Sequence, residues 1–346
     1  MKKLLSNVFT FVIMLVAFSG WAIAEPIVIK FGFTSEGEIR MPGTGRSAGA
    51  IAFKDFLEVN SDGRIKVELY PNGTLGNNRT LIESAQTGVI QMVGAFTSIM
   101  APFAPEVGVT QIPYMFENNL IAWKVMEGPF GKEMAESFLK KTGLRVLGWP
   151  DGSGYRHIYS EKPIKSVADL KGMKMRVPEN PGLLAMFRAW GAKTVTITWQ
   201  ELYSSLQTGM AEGCDTELYS MYSKKLYEVN PYVTMTRHSF NLHPYMINEA
   251  FFQSLSKEDQ TLVLQAADLC NRVANGHSLT SSLLVKSKME EAGAKFYYPT
   301  AAQIAEFKRL GQQPYIDMTL RKIGEKEGQM WLEKLNAAIK KAESEI

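Results

Sequence analysis

The chain has 346 residues, 45% hydrophobic and 21% charged, which is enough apolar material for a sizeable core and too much for a disordered tail. Lysine and arginine number 38 against 35 acidic residues, and Lys2 and Lys3 fall in a leader, so the mature chain carries 36 (38 less 2) against 35. This balance, with no block of like charges, argues against nucleic acid as a partner, because phosphate binding draws on clustered Lys and Arg, and gives no sign of a membrane-surface protein.

The leader comes first. Lys2 and Lys3 precede an apolar run from Val8 to Phe18, and Ala22-Ile23-Ala24 stands before Glu25. The segment 1–24 therefore reads as a cleaved signal peptide, which predicts export of the mature chain out of the cytoplasm; its apolar heart of 11 residues is shorter than a membrane-spanning helix needs. Two cysteines, Cys214 and Cys270, leave no disulfide framework or zinc cluster, and a pair of buried thiols that never meet is the expectation.

A β-branched strand over 27–33 is followed by a polar loop to Arg46 and a helix over 48–59, where Ile51, Ala52, Phe56 and Val59 recur at helical spacing. Asp62-Gly63 turns the chain into an alternating strand over 65–69. The cycle repeats: a helix over 81–87 stopped by Gly88, a strand over 90–95, a helix over 131–141 ending near Gly143, strands over 145–149 and 173–177, and a helix over 200–208. This alternation predicts an α/β protein with largely parallel sheets. Ser256-Lys-Glu-Asp259 opens one very long helix running to Gly293; a short strand over 294–298 follows, and Thr300-Ala-Ala-Gln303 starts another helix. The length predicts two lobes, and without a repeat or low-complexity linker they exchange chain more than once, as in a clamshell.

Gly43-Thr-Gly45-Arg-Ser-Ala48 matches the dinucleotide fingerprint G-x-G-x-x-G/A. That motif works when the first glycine turns directly at the strand end, whereas nine residues, 34–42, intervene here. A flexible ligand-facing loop is the better account of these glycines, with Arg40 and Arg46 either solvated or reaching a bound anion. The four histidines show no metal-ligand spacing, and no G-x-S-x-G elbow is present, so no metal, cofactor or catalytic residue is assigned. Alternation puts Lys174 and Arg176 on one strand face; they are either a solvated basic pair or, if Arg176 points inward, a guanidinium that must meet an anion. Arg156 follows a strand end, and Trp199 is either a core residue or a ligand cover.

Several strings, in order, are similar to the DctP-type solute-binding proteins of tripartite ATP-independent periplasmic (TRAP) transporters: 63–76 (GRIKVELYPNGTLG), 112–116 (IPYMF), 145–149 (RVLGW), 155–157 (YRH), 166–178 (SVADLKGMKMRVP) and 199–209 (WQELYSSLQTG). The resemblance implies a two-lobed periplasmic clamshell of the class II kind that closes over a small organic anion and delivers it to small and large membrane permease subunits. It puts a carboxylate-clamping arginine at Arg176, a second anion contact at Arg156 and an aromatic cover at Trp199, with Thr34, Arg40, Phe96 and Phe240 as further candidate ligand contacts. At 211–216 the chain departs from the family, and Thr216 stands where an asparagine usually fixes the carboxylate. Together with Phe96 this points to a small, little-hydroxylated ligand, a short carboxylate or a sulfonate such as isethionate. The expected division is 25–152 plus 242–281 for one lobe and 153–241 plus 282–346 for the other, with the long helix between them. An exported α/β enzyme or a sensory receptor for a small organic acid is the alternative.

Overall fold

The computed structural model describes residues 25–37 and 44–346; the leader, Arg40 and Gly43 lie outside the described residues. Eleven strands form two sheets. The first has the order β2-β1-β3-β10-β4, from β1 (Ile27–Gly32), β2 (Ile65–Tyr70), β3 (Met92–Gly94), β4 (Leu144–Gly148) and β10 (Tyr245–Asn248). The second has the order β11-β9-β5-β8-β6-β7, from β5 (Asp151–Ser160), β6 (Lys174–Val177), β7 (Lys193–Thr196), β8 (Gly213–Glu217), β9 (Tyr232–Leu242) and β11 (Lys295–Tyr297).

Both sheets are mixed, which corrects the expectation of largely parallel pairing. Strand β10 runs antiparallel between β3 and β4, and β5 runs antiparallel to both β8 and β9. Alternating strand and helix signals only the parallel crossovers. Strand β5 escaped that reading because all ten of its residues are buried, so it has no polar face to alternate with.

The chain passes between the sheets where β4 leads into β5 and again where β9 leads into β10. These passages lie side by side: the His243 amide donates to the Pro150 carbonyl at 2.9 Å, and Asp151 pairs with Leu242. The 35-residue helix Lys257–Glu291 joins them, packing on the helix Gly45–Asn60 and β4 as well as on β5 and the helix Leu218–Ser223. Ser256 caps it, its hydroxyl accepting from the Asp259 amide at 3.0 Å.

Beyond β11, Thr300 and Gln303 form the capping box of the helix Ala301–Ile323, and Gly324, at φ 100°, separates it from the helix Glu325–Ser344. No helix of the described residues is long and apolar enough to cross a membrane. Cys214, in β8, and Cys270, in the long helix, are free and buried.

Gly45 of the fingerprint-like segment, and Gly49 just after it, have a packing role, not the loop role expected for the segment's glycines. Thr44 caps the helix Gly45–Asn60, so Gly45 is its first residue, and a Cβ there would stand 2.2 Å from the Ala274 carbonyl oxygen of the long helix. One turn on, a Cβ at Gly49 would meet the Cys270 carbonyl oxygen at 2.9 Å. Only hydrogen at these two positions lets the helices approach so closely.

Candidate functional site

A cavity of about 40 Å³ lies among the ends of β1, β3, β5, β6 and β8, lined by Thr34, Arg46, Phe96, Arg156, Arg176, Trp199, Thr216, Glu217 and Ser220 among others. Of the residues predicted from sequence, six meet there: Thr34, Phe96, Arg156, Arg176, Trp199 and Thr216. Phe240 does not. It is 2% exposed and packs edge-on against Tyr155 and Phe116, with centroids 5.1 and 6.1 Å away, as part of the core under β5.

Arg176 is buried at 5% exposure on β6, hydrogen-bonded to β8 on one side and β7 on the other. Its Nε donates to the Ile197 carbonyl at 2.9 Å, and among the described residues no carboxylate lies within ion-pair distance of it. The solvated basic pair is therefore only half right: Lys174 is exposed, while Arg176 is enclosed. Burial pulls the guanidinium down to about 10, still charged at neutral pH. Neither terminal nitrogen of this buried cation has a hydrogen-bond partner among the described residues, which leaves both able to meet an anion.

Arg156 has a different electrostatic situation. Its Nε donates to Asp215 Oδ2 at 2.5 Å and a terminal nitrogen to Glu217 Oε1 at 3.2 Å, while the other reaches the Asp215 carbonyl at 2.6 Å. Burial alone would lower it, but the two carboxylates outweigh burial and hold it above its ordinary value. Asp215 answers in kind: Arg156 and His238 overcome its burial and keep it well below the usual carboxylate range. Each of its three nitrogens makes one of these bonds, so it acts first as the counter-ion of β8. The antiparallel register sets Arg156 directly opposite Glu217. Asp215 and Glu217 were not singled out from sequence; their signal is two carboxylates spaced by two in an otherwise buried strand.

Arg46 was left open from sequence. It is 4% exposed, donates to the Gly152 carbonyl and to Ser153 Oγ at 3.1 Å, and its guanidinium carbon sits 4.7 Å from the Phe96 ring centroid. Burial lowers it, and its buried Nε has no hydrogen-bond partner among the described residues. Its partners lie in the irregular start of β5, where Ser153 (φ 100°) and Gly154 (φ 85°) take left-handed backbone and the Asp151 carboxylate accepts from both amides. Trp199 is half-buried, with the Lys224 ammonium 5.7 Å from its ring centroid.

The comparisons with known proteins give the family and the fold. The model of the DctP family, described as bacterial extracellular solute-binding protein, family 7, matches residues 38–341. The chain belongs to this family. Its DctP-type relatives include the C4-dicarboxylate-binding periplasmic protein of Rhodobacter capsulatus, 28% identical over 88% of this chain and 89% of that one, and the ectoine-binding periplasmic protein of Halomonas elongata, 31% identical over 86% of each. Other matches are partial: this chain aligns with 64% of a solute-binding protein from Verminephrobacter eiseniae and 38% of an uncharacterized protein from Sinorhizobium fredii. Among solved structures, the galactonate complex of a sugar-acid-binding protein from Advenella mimigardefordensis superposes with a TM-score of 0.85 at 26% identity, over 92% of this chain and 99% of that one. A TRAP solute-binding protein from Desulfovibrio desulfuricans with bound sn-glycerol-3-phosphate gives 0.83 at 27%, over 90% and 97%. The two-lobed TRAP-receptor fold is thereby shared by this DctP-family chain.

Proposed function

We propose that this DctP-family chain is the periplasmic receptor of a TRAP transporter, capturing a small organic anion in the cavity beside Arg176 and delivering it to the membrane permease subunits. The observation that carries the reading is the enclosed guanidinium of Arg176, which has a carbonyl for a partner but no carboxylate within ion-pair distance among the described residues. A planar guanidinium forks onto two oxygens of one anion, and a dry cleft strengthens the contact.

Relatives that bind dicarboxylates, sugar acids or ectoine share the use of a carboxylate. The cavity of about 40 Å³ favours a guest of few heavy atoms, a short carboxylate or a sulfonate such as isethionate, over a six-carbon sugar acid. Glu217 is the carboxylate among the lining residues, and its oxygens already accept four hydrogen bonds, so it is a poor general base and the enzyme alternative gains nothing from it. Sheet membership supports lobes divided at 152/153 and 241/242, close to the two passages, with the remaining boundary inside the long helix.

Isothermal titration of the mature chain with short carboxylates and sulfonates tests the proposal. Saturable binding of at least one member is expected; heatless titrations across the panel would remove the anion-receptor reading.

A further inference from the structure

The stretch of cavity wall made by Thr216, Glu217 and Ser220, beside Arg176 on the neighbouring strand and the helix that follows it, has a fixed hydrogen-bond polarity, and it selects among anions. The Glu217 carboxylate, an acceptor only, takes four donors: Arg156 at 3.2 Å and Asn241 Nδ2 at 2.5 Å on Oε1, and the hydroxyls of Thr216 at 3.0 Å and Ser220 at 2.9 Å on Oε2. Glu217, Thr216 and Ser220 all line the cavity and are 1%, 3% and 1% exposed. A hydroxyl owns one proton, and a carboxylate cannot return the bond, so both hydroxyls are oriented with their protons on Glu217. Toward a guest they offer lone pairs alone. The cavity thus presents a guanidinium with no carboxylate partner among the described residues and, on the neighbouring strand β8 and the helix after it, oxygen lone pairs backed by a carboxylate.

We infer that the ligand is an anion that also carries an O–H or N–H donor for Thr216 and Ser220, a short hydroxy- or amino-substituted carboxylate or sulfonate, and that Glu217 sets this preference through these two hydroxyls. The inference rests on the anion-receptor reading and sharpens it. A second anionic group set against Thr216 and Ser220 would face their lone pairs and the Glu217 carboxylate and be repelled. A methyl group there would leave the acceptors without a donor, losing a hydrogen bond that the guest makes to water outside. The preference also qualifies the little-hydroxylated ligand expected from Thr216 and Phe96: one donor is wanted at a defined place.

Matched probes decide the matter by titration calorimetry on the mature chain: 2-hydroxyethanesulfonate against ethanesulfonate, glycolate against acetate, and sulfoacetate as the doubly charged member. The hydroxylated member of each pair should bind roughly tenfold more tightly, the value of one net hydrogen bond, with sulfoacetate weakest. Equal or tighter binding of ethanesulfonate and acetate, or sulfoacetate binding best, overturns the donor requirement while leaving the anion receptor standing. Silence from every probe overturns both. Ser220→Ala, which removes one acceptor without touching the Arg156–Glu217 pair, should shrink the hydroxyl preference in both pairs; an unchanged ratio assigns the preference elsewhere and refutes the role of this wall.

Discussion

Two arginines twenty residues apart in sequence and side by side in the cavity have opposite energetic roles. Arg176 is a buried charge with a carbonyl for a partner, so it burdens the folded chain until an anion arrives. Replacing Arg176 by Ala should weaken anion binding by about 2 to 5 kcal/mol, read by calorimetry. Arg176→Met should abolish binding yet raise the denaturant midpoint of the unliganded chain, because it removes an uncompensated buried charge at similar volume. A lower midpoint would show that the guanidinium is structurally satisfied. Arg156→Ala is expected to do the reverse of Met at 176: it strands Asp215 and Glu217 without their cation and should destabilise folding by about 3 to 5 kcal/mol, measured by denaturant unfolding.

At the scale of elements, the helix Gly45–Asn60 and the long helix Lys257–Glu291 cross where glycine replaces a side chain. Gly45→Ala would force a Cβ to 2.2 Å from a backbone carbonyl, which cannot swing aside as a side chain could. A loss of at least about 1 to 3 kcal/mol in thermal or denaturant unfolding is the expectation. Gly276→Ala is the built-in comparison, since this glycine lies inside the long helix with nothing within 4 Å of the added Cβ. It should stabilise by about 0.5 to 1 kcal/mol through reduced backbone entropy. The same contact accounts for Gly45 of the dinucleotide-like string: with Gly49 it serves helix packing, and Arg46 between them reaches the start of β5.

For the whole molecule, three buried histidines set an acid limit. Burial holds His157 and His243 well below the ordinary histidine value, and it lowers His238 against the pull of Asp215. In the unfolded chain each takes up a proton near pH 6.5, while in the folded chain it does so only at lower pH, so the stability they contribute is complete above 6.5 and is lost as pH falls below it. Each can add a slope of about 1.4 kcal/mol per pH unit. Asp151 and Glu127, raised by burial, work in the opposite direction, but three histidines against two carboxyls, whose ordinary values lie below this range, fix the sign. The melting temperature should therefore fall between pH 7 and 5.5; a flat profile would mean that the imidazoles protonate in place. Closure is the other global property. Small-angle scattering with and without a saturating anion should show compaction, because the ligand binds between segments contributed by both sheets and shifts the population toward the closed form.

Periodicity, caps and glycine stops were enough to place the helices Gly45–Asn60, Asn78–Gln86, Pro129–Thr142, Leu202–Gln207, Lys257–Glu291 and Ala301–Ile323 and the strands β1 to β4, β6 and β11, because these depend on neighbours a few residues apart. The long helix was equally legible from Ser256 and the proline-free run behind it. Strand β5 was not, since a strand covered on both faces carries no alternation, and with it went the mixed character of the second sheet. Nor could the sequence say that Phe240 belongs to the core, that Arg46 reaches the cavity, or that Arg156 is spent on Asp215 and Glu217. Those facts are set by strand register and by helices meeting across two hundred residues of chain. The direction of a hydroxyl proton is decided by which carboxylate the fold brings beside it, and only the assembled structure brings Glu217 to Thr216 and Ser220 together.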